Sequence, residues 1–441
     1  MATTRLTKTL GTPTNNKKWT WSAWIKRGRG FNVVQRLFYA INSSNYTTLQ
    51  FDDESNLIWF NEISGVGTDM QLKTTQLFRD PSAWYHIVIA YDSANSTAAN
   101  RQIIYINGVR VTSFATENTA GTNANTAINQ AVPHTIGSSN GGGNYFDGLM
   151  SHVHFVDGNA YAASTFGSTD STTGIWKINT SPSITMGNNG FTILKDGNTI
   201  TDQSSNSNNF SLGSGTLTKT QDCPSNNFTT VNPSAPATGN LNYLKYGNLE
   251  LKQQNNPYAW STTLCGYKGK WYWEQKVSAL GTTAVGILKQ DKFPQNGSLF
   301  YPFVQATGYA YKNTGNKGNN NNDSSYGNSY TSGDILSVAF DQTNGTIWFG
   351  KNGTWQNNAT DAQIAAGTTT YAAFSSMPTN GEFYGAFIYA DGSTEVASNF
   401  GNGYFGTTAV SSAGTNASGN GIFEYNVPAG FTGLSTKGLN L

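Results

Sequence analysis

The chain has 441 residues, enough for two or three domains. Only 12% of them are Asp, Glu, Lys or Arg and the formal net charge is +1, which excludes the basic face of a nucleic-acid binder, while 13% aromatics supply a core and argue against disorder. Two cysteines, Cys223 and Cys265, exclude a disulfide framework; no apolar run is long enough to span a membrane, and the stretch up to Trp19 has none of the pattern of a signal peptide.

Period-two alternation dominates, and no 3.6-residue stripe of any length is present. Along Trp19–Lys26, Trp19, Trp21, Ala23 and Ile25 share one face. Tyr46–Phe51, a polar turn Asp52–Asn56 and Leu57–Phe60 read as a hairpin. Along Trp84–Asp92, Tyr85, Ile87, Ile89 and Tyr91 share a face. Arg101–Ile106 meets Asn107-Gly108 and then Val109–Val111, the strongest short-range hairpin signal in the chain. Asp147–Val156 closes this first module. Between Asn159 and Gly239 the pattern weakens into Ser-, Asn-, Thr- and Pro-rich stretches, with short strands expected near Phe191 and Phe210. Alternation returns at Lys270–Val277, Ala284–Leu288, Tyr309–Lys312, Ile335–Asp341, Thr346–Gly350, Glu382–Ala390 and Glu395–Phe400. The low-complexity segment Asn313–Gly333 reads as an exposed loop. The last thirty or so residues carry little pattern until Phe423–Phe431.

The reading is an all-β protein: two antiparallel β-sandwich (jelly-roll) modules joined by a short connector. The boundaries expected are 1–158 for the first sandwich, 159–239 for the connector, 240–406 for the second sandwich and 407–441 for a C-terminal tail. The first module resembles the laminin-G-like, concanavalin-A-like lectin/glucanase superfamily through WTWSAWIKR at Trp19, Trp84-Tyr85-His86, IIYINGVRV, and YFDGLMSHVHFV at Tyr145. The second resembles a SPRY domain through GKWYWE at Gly269–Glu274, DQTNGTIWFGKNG at Asp341–Gly353 and NFG at Asn399–Gly401. Two further stretches, DCPSNNFTTVNP at Asp222–Pro233 and NVPAGFTGLSTKGLN at Asn426–Asn440, resemble structural proteins of tailed, marine-type bacteriophages. That resemblance implies a virion protein assembled in a host cytoplasm, where two reduced cysteines are at home. It does not place the protein on head or tail.

The lectin-like superfamily includes glucanases, so catalysis has to be tested. The signature E-x-D-x-x-E is absent; the nearest cluster, Asp52-Asp53-Glu54, sits between two strands and reads as a turn. His152 and His154 are two apart on a strand and read as outer-face residues, with His134 unplaced as a third metal ligand. His86 reads as a hydrogen-bonded, semi-buried residue. No G-x-S-x-G, P-loop or dinucleotide fingerprint occurs, and no EF-hand loop. No cofactor is expected; calcium stays open, without ligands to assign. Carbohydrate recognition needs aromatic faces beside amides and carboxylates. Two loops offer them: Asn319, Asp323, Tyr326 and Tyr330 in one, Asn144 and Tyr145 in the other. A solubilising or packing role is the competing reading for both. The partners expected are other virion proteins and a host-surface glycan, with no nucleic acid, no membrane insertion and a homo-oligomer left open. The function expected is a non-enzymatic structural protein on the virion surface, as capsid decoration or tail appendage; a receptor-binding tail adhesin is the alternative and a virion-borne glycoside hydrolase comes last.

Overall fold

The structure, a computed structural model, describes residues 3–28, 32–195, 197, 199–233, 244–253, 258–293 and 300–440. It divides into two units, Met1–Lys219 and Thr220–Leu441, each nearly all-β.

Among the described residues of the first unit, eight strands form one antiparallel sheet in the order Phe114–Asn118, Gly67–Leu77, Asn56–Ile63, Asn45–Phe51, Gln35–Asn42, Pro133–Ile136, Arg5–Thr9, Ser211–Ser214. Six form the facing sheet: Phe191–Ile193, Gly148–Asp157, Lys18–Arg27, Trp84–Asp92, Gln102–Ile106, Val109–Arg110. The expected faces are those that close the core. Trp19, Trp21, Ala23 and Ile25 pack with Ile87, Ile89 and Tyr91 against Phe38, Leu49 and Trp59 of the other sheet. The Asn107-Gly108 turn has φ of 47° and 83°, the left-handed pair that a tight hairpin demands. A Cβ on Gly108 would also lie 2.4 Å from the Trp176 ring.

The stretch expected as a connector divides between the units. Phe191–Ile193 extends the six-stranded sheet and Ser211–Ser214 the eight-stranded one. Residues 158–190 form a second layer, where Ala163, Phe166 and Trp176 cover Val88 and Val156 on the sheet's outer face. Residues 220–233 belong to the second unit.

The second unit has an extended sheet in the order Leu244–Lys245, Glu250–Lys252, Glu395–Asn399, Lys270–Ala279, Ile335–Asp341, Thr346–Lys351, Thr354–Trp355, with Thr432–Gly433 adding parallel to Lys270–Ala279. Facing it are Tyr258–Ser261, Tyr384–Asp391, Thr282–Lys289, Gly308–Lys312, Asn316–Asn319 and Asn322–Ser325. Alternation sorts the side chains: Trp271, Trp273, Val338, Phe340, Ile347 and Phe349 point between the sheets. Tyr272, Ala339 and Trp348 point the other way, into a smaller cluster closed by Phe423, Val427 and Phe431. The segment expected as a tail is thus a wall of this unit.

The stretches Asp222–Pro233 and Asn426–Asn440 lie side by side, although they are about two hundred residues apart in sequence. Phe228 bridges Ser435, Thr229 N–H donates to Leu434 O at 3.0 Å, and Thr436 N–H donates to Asn227 O at 2.9 Å. The Asn226 side chain accepts from Lys437 N–H at 3.3 Å and donates to Asn420 Oδ1 at 2.9 Å.

Candidate functional site

On the outer face of the strand Lys270–Ala279, Tyr272 and Glu274 alternate with the inward Trp271 and Trp273. Glu274 is completely buried and its carboxylate is ringed by donors. Oε1 accepts from Tyr425 N–H at 2.8 Å and from the Tyr272 hydroxyl at 3.0 Å. Oε2 accepts from Glu424 N–H at 2.8 Å and Asn399 Nδ2 at 3.3 Å. Burial pushes the carboxyl up to about 7 against these four donors. The Tyr272 oxygen also lies 3.1 Å from Ser337 Oγ, and burial beside the Glu274 carboxylate holds the phenol well above its usual range.

Where the covering segment 424–426 leaves the sheet, a cavity of about 160 Å³ opens. Tyr272 and Ser337 contribute to its lining, as do Trp355, Asp361, Glu424 and Tyr425. Gly353, at φ +77°, lets the Tyr425 ring approach: a Cβ there would meet it at 2.8 Å. Trp355 Nε1 donates to Asp361 Oδ1 at 2.7 Å. Asp361 opens the short helix Asp361–Ala365, capped by Thr360 and Gln363 in a reciprocal pair of hydrogen bonds. Glu424 accepts from Ser411 N–H at 2.8 Å and from the Ser411 hydroxyl. Among the described residues no lysine, arginine or histidine lines this cavity.

The residues expected at a sugar site lie elsewhere. Asn313–Gly333 is a folded hairpin rather than an exposed loop. Its Asn319 amide donates to the carbonyls of Ala306 and Gly308 at 3.0 and 2.8 Å, and Asp323 pairs with Lys312 at 2.6 Å. Tyr326 and Tyr330 are core residues, packed on Tyr311 at ring distances of 5.9 and 5.3 Å. The Tyr330 hydroxyl lies 3.1 Å from Thr283 O and 3.2 Å from Tyr311 O. As placed, neither ring offers a face for stacking. Asn144 is exposed in the first unit, with its carbonyl accepting from Arg36 N–H at 2.9 Å, and Tyr145 beside it is half-buried.

Asp52 behaves as a turn former: Oδ1 accepts from the N–H groups of Glu54 and Asn56, and Lys73 Nζ reaches Asp52 at 2.8 Å and Glu54 at 2.7 Å. The two histidines do not share an outer face. The register shifts between Ser151 and His154, and His152 has φ +50°. His154 is buried against Phe166, with Nδ1 2.9 Å from Thr192 Oγ1. His86 stacks on Trp24 at 4.9 Å and accepts from Trp176 Nε1 at 3.0 Å through Nδ1, so Nε2 carries the proton shared with Ser22. His134 takes Asn129 N–H on Nε2 and gives Nδ1–H to Val132 O. Burial lowers His86 and His154 to about 3 and His134 to about 4. No group of three or more His, Cys, Asp or Glu suited to a metal occurs among the described residues.

Residues 3–164 match the concanavalin A-like lectin/glucanases superfamily, and residues 270–402 match the SPRY domain. The chain carries a lectin-like domain and a SPRY domain. No curated protein matches it. Among solved structures it is similar to the SPRY domain of human HERC1, at 17% identity over 34% of this chain and 87% of that one, with a TM-score of 0.27. A heptameric SAP-like pentraxin from Limulus polyphemus aligns at 14% identity over 43% and 87%, with a TM-score of 0.28. The PSpry domain of TRIM65 aligns at 11% over 38% and 90%, with a TM-score of 0.29.

The residues that line this cavity were not singled out as a site by the sequence. Tyr272 and Glu274 stand in the GKWYWE stretch, and alternation alone puts them opposite two tryptophans. A carboxylate at such a position, in a chain this poor in charge, is the signal that could have found it.

Proposed function

We propose that this chain is a non-enzymatic binding protein of a tailed-phage virion surface, a capsid decoration or tail appendage that contacts neighbouring virion proteins and a host-surface glycan. Lectin-like and SPRY domains are binding modules, and the chain presents one of each. The observation that carries the virion reading is the pairing of Asp222–Pro233 with the segment around Ser435. The two stretches that resemble phage structural proteins form one hydrogen-bonded clasp, so the resemblance falls on one structural unit and not on two separate ones. The carboxylates support a role without catalysis. Glu274 has both oxygens spent on four donors, and Asp52 and Glu54 share one lysine. The adhesin reading draws on the cavity beside Tyr425, a recessed site with aromatic and polar walls.

Imaging of virions labelled with an antibody against this chain tests the proposal. Label over the icosahedral head makes it a decoration protein, and label confined to the tail makes it an appendage or adhesin. Particles without label overturn the virion reading and leave a free binding protein.

A further inference from the structure

We infer that the cavity beside Tyr425 in the second unit receives a cationic side-chain head, the guanidinium of an arginine presented by a protein partner. The inference rests on the reading of that cavity as a binding site and names its ligand. Three observations point the same way.

The first is charge. Asp361 and Glu424 stand in the lining, and Glu274 lies directly behind Tyr272. Burial raises the Tyr425 phenol with help from the carboxylates of Glu424, Glu274 and Asp334, and burial raises Tyr272 with help from those of Glu274 and Asp361. Two neighbouring lysines are committed elsewhere. Lys270 lies 3.6 Å from Asp341 and donates to Ala365 O, while Lys351 lies 3.1 Å from Asp334 and donates to Ser329 O. Among the described residues no internal cation neutralises the cavity.

The second is its walls. Trp355 and Tyr425 put aromatic rings in the lining, and such rings attract a cation over their faces through the ring quadrupole, more so where water is partly excluded. Trp355 is held by its bond to Asp361, so one carboxylate and one ring form a fixed pair.

The third is the hydrogen-bond inventory. Asp361 Oδ1 is spent on Trp355, whereas Oδ2 accepts nothing from the described residues. The Tyr272 proton is drawn to Glu274. Glu424 already takes Ser411 on both oxygens, so Asp361 Oδ2 is the charged acceptor left open, in a lining that also holds the hydroxyls of Thr354 and Tyr425 and the Asn426 amide. Guanidinium brings a positive charge and five donors to that open carboxylate oxygen, whereas a neutral sugar hydroxyl brings no charge. At about 160 Å³ the cavity suits one side-chain head, being close to the volume of about 150 Å³ that holds a benzene ring.

The test titrates the purified full-length chain with N-acetyl-L-arginine methylamide and with its neutral isostere N-acetyl-L-citrulline methylamide, followed by tryptophan fluorescence and NMR. The arginine compound should bind saturably and the citrulline compound at least about tenfold more weakly. Asp361→Asn keeps the oxygen that holds Trp355, so it should melt at the wild-type temperature and bind the arginine compound about tenfold more weakly. Tyr425→Leu should weaken binding while leaving the backbone N–H on Glu274, and it decides the matter if the first variant misfolds. Equal binding of the two compounds, binding indifferent to both variants, or no binding overturns the inference. So does saturable binding of N-acetylglucosamine alone, which would leave the adhesin reading standing. Virion labelling is independent of every one of these results.

Discussion

At the scale of single residues, Glu274 is the most consequential side chain in the molecule. A carboxylate with four donors is ordinarily held ionised, but here removal from water prevails and its pKa is raised from an ordinary 4.5 to about 7. Below pH 4.5 the group is protonated in both folded and unfolded chains, and its contribution is fully present. Between 4.5 and about 7 the folded chain alone keeps the proton, so unfolding releases it and stability falls as pH rises. The loss across that window is on the order of 3 kcal/mol. Glu274→Gln should abolish this slope. It should also cost about 1–3 kcal/mol at pH 5, because a Gln N–H must face one of the backbone donors. Urea denaturation of both proteins from pH 5 to 7.5 reads the difference, and a wild-type midpoint that stays level would refute it. Residue-level legibility was uneven for a physical reason. Tyr326 and Tyr330 stand among Asn, Ser and Gly, a composition that looks exposed, yet small polar neighbours also let a ring turn inward without crowding.

Single elements show where alternation stops being informative. The expected strands of the second unit, among them Ile335–Asp341 and Thr346–Gly350, were legible because one face is apolar and the other small or polar. Asn316–Asn319 and Asn322–Ser325 were not, since Asn, Lys, Gly, Asp and Ser give no apolar face to read. Asn320 and Asn321, at φ 49° and 58°, make the turn between them, and Tyr326 and Tyr330 anchor the residues just beyond the second strand. Deleting Asn319–Tyr330 would be harmless to the fold if this were a solvated loop. The structure predicts otherwise: the deletion removes two core rings, and Tyr330→Ala alone should cost about 3–5 kcal/mol in thermal or urea denaturation. The wall formed by Phe423, Val427 and Phe431 escaped for a different reason. These residues are four apart on an irregular segment, held by the Glu274 carboxylate and by Asn420, which donates to Thr432 and Gly433. Phe423→Ala should cost about as much as Tyr330→Ala and should loosen the Glu274 site, whereas a loss below about 1 kcal/mol would mean the segment packs weakly.

For the whole molecule, a division into two sandwiches was legible from two blocks of alternation, whereas the fate of residues 159–219 was not. Residues 159–190 lack period two because they cover a sheet rather than extend it, and Phe191–Ile193 and Ser211–Ser214 are too short to show it. That cover decides the chemistry of the first unit. Phe166 and Trp176 enclose His154 and His86 on a face that would otherwise be wet, and His134 is buried on its own strand. All three are lowered from 6.5 to about 3 or 4, so the folded unit holds them neutral. Their contribution is complete above pH 6.5 and is lost as pH falls toward 4, because the unfolded chain takes up protons that the folded one refuses. Glu274 gives the second unit the opposite slope in an overlapping range. Hydrogen exchange of the intact chain, corrected for intrinsic rates, should therefore show protection in the first unit falling between pH 7.5 and 5. Protection around Glu274 and Tyr425 should rise over the same interval. His86→Phe would remove part of the first slope and leave the second untouched, since nothing in the titration of Glu274 involves the histidines. If protection moves in one direction in both units, buried ionisable groups do not control their acid response, and net charge on the surface does.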